Sequence, residues 1–227
     1  MKRFLVIMFV TLFVVSFLFS QNTGSVEKNP KIPESVELQH LQLAKQLADY
    51  GYKNESVSAL LEAVDILIKV YPEKVDIKTE KQGTSSDKKP AFSIKFSPEE
   101  ILADAKDLAG NDKVYKEWIK KLEKNLSGSR GAKVRLQGFE SFVYGNNECE
   151  TCYITFKANE PAEIVIFSLD SADLDLYVYD EYGNPVVEDE KDDNDCKVVF
   201  YPPKTSEYKI QVKNRALHNA RFQLTTN

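Results

Sequence analysis

The chain predicts an α+β protein of two domains, a small N-terminal α-helical domain of about four helices in two αα-hairpins and a C-terminal antiparallel β-sandwich or jelly roll. Two observations carry this. Apolar residues recur at helical spacing up to about residue 127, and beyond it the pattern changes to seven or eight short alternating runs rich in Tyr, Phe, Val, Ile and Thr. Turn residues bound each of those runs, the mark of an antiparallel sandwich rather than of strands alternating with helices.

The N-terminus opens with Lys2 and Arg3, continues through an apolar run from Phe4 to Phe19 and reaches Ser20 before turning polar. That order predicts a secretory signal peptide over residues 1–20 and a protein that is secreted, periplasmic or held at the cell surface. The run is shorter than the ~20 residues that span a bilayer, so no membrane insertion is expected once the leader is removed; an uncleaved anchor is the alternative reading. Residues 21–34 carry Asn, Gly, Ser, Lys and two prolines without periodicity and predict a flexible lead-in. The net charge of -5 and the lack of clustered Lys and Arg exclude a nucleic-acid partner, which would need phosphate neutralisation.

A helical region is predicted over 35–127. Leu38, Leu41, Leu43, Leu47 and Ala48 line one helix face, which Gly51 ends. Asn54 is positioned to cap a second helix striped by Val57, Leu60, Leu61, Val64, Leu67 and Ile68 and stopped by Pro72. With Ala44, Gly51, Ala59, Ala63 and Pro72, this pair resembles a single tetratricopeptide-type hairpin, which implies a unit that needs a partner to bury its face. A second hairpin supplies one. It starts at Ser97 with Pro98 and Glu100 completing a capping box, breaks at Gly110, restarts at Asn111 or Asp112 and ends at Ser127-Gly128, with Trp118 and Ile119 as core candidates. Between the hairpins, about 73–93 is polar and charged and predicts a mobile loop.

The sandwich is predicted over 131–227. Within it, "DLDLYVYD", the "YGN" turn, "VVFYPP", "YKIQVKN" and the closing "FQL" resemble the bacterial pre-peptidase C-terminal domain, with Ser206-Glu207 where such domains carry Thr-Gly. The resemblance covers about residues 134–227. It implies a β-sandwich that serves as an accessory module of exported proteins, and kinship with modules some of which use calcium.

Strand alternation buries Leu174, Leu176 and Val178 and turns Asp175, Tyr177 and Tyr179 to the other face. If "DEYGNP" is a hairpin turn, Asp189, Glu190 and Asp192 return beside Asp173 and Asp175. Crowded carboxylates repel unless a cation or solvent screens them, so these five are candidate calcium ligands. The competing reading is a solvated edge that discourages strand pairing between molecules, and the spacing fits no EF-hand. Tyr177, Tyr179 and Tyr208 are the candidate ligand-binding strip, tyrosine offering area and a hydroxyl together; ordinary sheet packing is the competing reading.

Three cysteines in an exported chain predict a disulfide, Cys152 with Cys196 before Cys149 with Cys196, worth about 4 kcal/mol in the chain-entropy model. Cys149 lies between Glu148 and Glu150 and leads into a strand, which disfavours the reactive thiolate a redox motif requires. Zinc lacks a fourth ligand, His40 and His218 lying in different parts of the chain. No G-x-S-x-G, H-E-x-x-H or phosphate-cradling loop occurs, and the abundant carboxylates sit in hydrophilic turns rather than a walled cleft. The chain therefore predicts a non-enzymatic accessory protein that binds an extracellular or envelope protein or glycan. The alternative is a structural or assembly component of the envelope acting through its helical hairpins.

Overall fold

The computed structural model describes residues 35–128 and 136–227; the signal peptide and lead-in expected before residue 35 lie outside them. Four helices come first: α1 (Val36–Asn54), α2 (Val57–Val70), α3 (Pro98–Ala109) and α4 (Lys113–Gly128). Their starts are chemically specified. Ser35 caps α1, and Ser97 caps α3, its Oγ accepting from the Glu100 amide at 3.3 Å while its hydroxyl donates to Glu100 Oε2 at 2.8 Å. Asp112 Oδ1 accepts from the Val114 amide at 2.8 Å at the start of α4. Two local expectations are corrected. Gly51 does not end α1, which runs on to Asn54 and stops at Glu55 in the left-handed conformation (φ 51°), and the cap of α2 is Ser56 rather than Asn54. Gly51 serves packing instead: a Cβ there would lie 2.6 Å from Leu60 Cδ2, so only glycine lets α2 approach this closely.

The strands are β1 (Glu73–Lys74), β2 (Thr79–Lys81), β3 (Gln137–Val143), β4 (Cys149–Phe156), β5 (Ala162–Ser168), β6 (Leu174–Tyr179), β7 (Pro185–Asp189), β8 (Cys196–Phe200), β9 (Ser206–Asn214) and β10 (Ala220–Thr226). They form two five-stranded sheets, sheet A in the order β1-β3-β10-β5-β8 and sheet B in the order β2-β4-β9-β6-β7. Every pairing is antiparallel except β1 with β3. Between the sheets lie Ile164, Ile166, Leu174, Leu176, Val178, Ile210, Val212, Phe222 and Leu224.

The helices are not free-standing. Val165, Phe167 and Leu169, which alternate with the inward Ile164 and Ile166, join the helical core with Leu38, Leu60, Leu67, Phe96 and Ile101. The order through the fold is therefore helices, sheet A, sheet B, and each sheet A strand buries both faces where the helices cover it. That explains why β5 is buried along its whole length. Ile119 is core as expected and Trp118 packs beside it, whereas Leu43 is exposed.

The segment expected as a mobile loop at 73–93 contains strands. After Pro72, β1 extends sheet A and β2 extends sheet B, so a stretch of a few residues adds an edge strand to each sheet. The Gln82 amide donates to Cys149 O at 2.9 Å and Ser86 Oγ to Leu217 O at 2.7 Å before Ile94 joins the chain end of β5 at Leu169 O. Charged, exposed edge strands lack the apolar alternation that announces a strand, and their pairing is set by the sheets they join.

Candidate functional site

Sheet B keeps one face toward the core, with Leu174, Leu176, Val178, Tyr208, Ile210, Val212, Cys152 and Phe156 pointing inward. The residues between them must face out. Register places them in three cross-strand rows: Tyr153–Lys209–Tyr179, Thr151–Gln211–Tyr177–Glu188, and Cys149–Lys213–Asp175. Neighbouring strands lie about 4.8 Å apart, so Tyr153 and Tyr179 stand about 10 Å apart across Lys209. The Lys209 ammonium sits 5.3 Å from the Tyr179 ring centroid, within cation–π range. Burial, then Glu190 and Asp175 at Tyr177 and Cys149, Glu188 and Glu190 at Tyr179, push both phenols up, so both remain hydroxyls that can donate and accept at neutral pH.

Arg215 closes one end of this face. Its Nε pairs with Asp175, its Nη2 donates to Tyr177 Oη at 3.3 Å and lies 3.6 Å from Glu190, and its Nη1 reaches Asn147 Oδ1 at 3.4 Å. Tyr177 Oη lies within hydrogen-bonding distance of both Asp175 and Glu190, and its single proton donates to one of them at a time. Tyr177 and Tyr179 thus stand where alternation puts them, and Tyr153, Lys209, Gln211 and Arg215 are the members the sequence reading missed. Only pairing register could reveal that Tyr153, from a distant strand, shares a row with Tyr179.

Tyr208 does not belong to the strip. It is 2 % exposed and points into the sandwich, its ring centroid 5.9 Å from Phe156 and 5.2 Å from Phe200. It lies opposite Ile154 and one residue from the outward Lys209, so the one-residue phase of β9 decides its fate.

Of the five carboxylates expected to hold calcium, three are paired with cations of the protein. Asp175 and Glu190 go to Arg215; Asp189, 7 % exposed, accepts from the Lys197 amide at 2.9 Å and pairs with Lys191 at 3.1 Å. Asp173 is half-buried and Asp192 exposed. Burial, with Asp175 and Asp192 nearby, raises the Asp173 carboxyl above its ordinary value. Among the described residues, no group of three or more His, Cys, Asp or Glu is placed to hold a metal ion. Arg215 and Lys191 are the cations paired with Asp175, Glu190 and Asp189.

The expected Cys152–Cys196 disulfide is absent, all three cysteines being free thiols. Topology is the reason. Cys152 is on β4, near the β2 edge of sheet B, and Cys196 is on β8, the far edge strand of sheet A, where it pairs with Ile166 and lies over β6 and β7. Two strand spacings of about 4.8 Å and a sheet separation of about 10 Å exceed the reach of a disulfide.

No helix among the described residues is long and apolar enough to cross a membrane. No protein-family model and no curated protein matches the chain. Among solved structures, the chain is similar to the pre-peptidase C-terminal domain of a collagenase from Bacillus anthracis, at 10% identity over 40% of this chain and 76% of that one, with a TM-score of 0.30. It is likewise similar to PliG of Aeromonas hydrophila, a periplasmic inhibitor of g-type lysozyme, at 11% identity over 40% of this chain and 84% of that one, with a TM-score of 0.31.

Proposed function

We propose that this is a non-catalytic binding protein, exported by its leader, whose outer sheet B face engages a protein partner. The single observation that carries the reading is the asymmetry of the sandwich: helices cover the outer face of sheet A, while sheet B presents Tyr153, Tyr177, Tyr179 and Lys209 outward. Tyrosine is enriched in protein interfaces because it gives contact area and hydrogen bonding at low conformational cost. Three rows across four strands span roughly 400 Å², about half of the ~800 Å² that a standard partner buries. The rows are then the centre of the contact, with Arg215 and the adjoining turns as its rim. The alternative, an envelope component acting through its hairpins, is less well supported because the apolar stripes of the helices are already used against each other and sheet A.

The test is site-specific photocrosslinking in the cells that make the protein, with a photoreactive amino acid at Gln211 and, as control, at Glu99 on α3. A discrete protein adduct at 211, absent at 99 and lost in Tyr153→Ala/Tyr179→Ala, is the expected result. No adduct at 211, or equal adducts at both positions, would remove sheet B as the partner face and turn the search to glycans.

A further inference from the structure

Helix α4 carries Lys113, Lys116, Lys120, Lys121 and Lys124 against Glu117 and Glu123, a local charge of +3 in a chain whose net charge is -5. Interleaved with those glutamates and with apolar residues, the lysines form no basic run in the sequence, and it is the helix that gathers them. Ile119 and Leu122 are buried, with Tyr115, Trp118 and Leu126 packed beside them against the helical core. At 3.6 residues per turn, Lys113, Lys120 and Lys124 fall within about 40° of one another on the side away from those residues, in a line roughly 17 Å long. Lys116 and Lys121 flank the line, and all five are exposed.

The fold makes no use of this stripe. α4 packs against α2 and α3, and the ion pair that joins it to α3, Lys106 with Glu123 at 2.7 Å, occupies a glutamate of α4 and none of its lysines. Lys116 Nζ donates to Asn111 Oδ1 at 2.8 Å, and among the described residues no carboxylate pairs with Lys113, Lys120, Lys121 or Lys124. With Glu123 so paired, Glu117 is the one α4 carboxylate left to oppose them.

The form of the stripe selects its partner. Protein interfaces are depleted in lysine and centre on aromatic or arginine anchors held in pockets, whereas the back of a helix is convex and carries neither. A lysine is a hydrated point charge on a flexible stem, poorly suited to a fixed bidentate fit but well suited to negative charge spread over a plane. The headgroups of an anionic bilayer form such a plane, which an exported protein meets at the membrane it has crossed. Val114, 73 % exposed and seven residues before Lys121 on the same side of the helix, adds an apolar side chain at the edge of the stripe.

We infer that α4 holds the protein against the surface of an anionic phospholipid bilayer through Lys113, Lys120 and Lys124, flanked by Lys116 and Lys121. The stripe belongs to the helical layer and shares no residue with the proposed partner face of sheet B, so either reading can fail without the other.

Flotation of the protein, as purified from the cells that export it, with vesicles of phosphatidylcholine alone or mixed two to one with phosphatidylglycerol tests it. Binding to the mixed vesicles alone is expected, with release in about 1 M salt, where the screening length falls to roughly 3 Å. Lys113→Gln/Lys120→Gln/Lys124→Gln should weaken binding about a hundredfold, three lysines at roughly fivefold each. Lys88→Gln/Lys89→Gln/Lys157→Gln, which removes the same charge from exposed sites elsewhere, should leave it unchanged. Glu117→Gln should tighten it, a gain that no loss of folding could produce. No binding to either vesicle, equal binding to both, an equal loss in the two triple variants, or tighter binding to a double-stranded DNA oligonucleotide than to the mixed vesicles overturns the inference.

Discussion

Lys81 Nζ lies 2.8 Å from Glu150 Oε1, joining the edge strand β2 to a carboxylate that is 1 % exposed and faces between the sheets. Ser141 Oγ donates to the same oxygen at 2.7 Å and accepts from Lys81 at 3.0 Å, and the Lys81 ammonium lies 4.5 Å from the Phe142 ring centroid. Glu150 Oε2 has no partner, so the site already carries one uncompensated buried oxygen. Removing the cation leaves a buried charge unpaired, which is far costlier than never having had the pair. Lys81→Met is therefore expected to lower stability by about 3 kcal/mol in urea unfolding, and Lys81→Met/Glu150→Leu to recover most of that loss. A single variant within about 0.5 kcal/mol of the parent would mean that β2 is not held by this pair.

The same pair shows where the sequence was readable. Helix α3 and the phase of β6 follow from capping chemistry and side-chain periodicity, which are local, and they stand where those signals put them, while α2 follows from its apolar stripe although its cap is Ser56 and not Asn54. Lys81 and Glu150 are 69 positions apart, and nothing local to "TEK" announces that it will pair with β4. The candidate face divides the same way. Tyr177 and Tyr179 share one strand, so alternation alone orients them, whereas Tyr153 and Lys209 enter the face only through the register of β4, β9 and β6. Tyr208 was misassigned because an aromatic side chain fits either face of a strand, and only the phase of β9 against the core decides between them. The acidic stretch was legible as a concentration of charge, but its counter-ion, Arg215, comes from the end of another strand, 40 positions from Asp175.

Arg215 makes a prediction about metal. Its guanidinium lies among Asp175, Tyr177 and Glu190, the ground on which calcium would otherwise act. Millimolar calcium is expected to leave the melting temperature of the protein where chelator leaves it, because a ligand that does not prefer the folded state cannot raise it. Arg215→Gln should lower stability by about 2 kcal/mol, since Asp175, 2 % exposed, loses its cation. A calcium-specific rise in the parent protein would restore the metal reading; thermal unfolding with calcium, magnesium and chelator decides.

Acid sensitivity should pass through Asp170. Burial alone would raise its carboxyl, but bonds from the Arg221 side chain and amide and from Ser93 outweigh burial and hold it below the ordinary value. Arg221 Nη2 lies 2.8 Å from Asp170 Oδ1 and donates to Ile94 O at 3.1 Å, so this pair also fastens the segment leading into α3 to sheet A. A carboxyl depressed in the folded state binds its proton more weakly than in the unfolded chain. Its contribution is therefore complete above the unfolded value of about 3.9 and disappears as pH falls through the lower folded value. Asp170→Asn should cost about 2 kcal/mol at neutral pH and show a shallower loss of stability on acidification than the parent. Parallel pH profiles of urea midpoints for the two proteins would rule this pair out as an acid-labile element.

The thiols separate by position and by charge. Cys149 stands on the outer row with Lys213 and Asp175, and although burial raises its thiol first of all, Lys213 and Arg215 pull it back toward the thiolate. Cys152 is pushed up to about 12 by burial and by Glu150, and Cys196 is raised by burial and four surrounding aspartates, its Sγ resting 2.9 Å from Leu174 O. Thiolate is the reacting species, so at pH 8 a thiol reagent should modify Cys149 and spare the other two in the native protein. Without reductant, guanidinium should then expose three reactive thiols per chain, matching three free cysteines. Cys149→Ser should abolish the native reaction and leave two thiols in guanidinium. Finding only one thiol in denatured parent protein would instead establish a disulfide, and one that included Cys196 would require β4 and β8 to lie closer than their sheet positions allow.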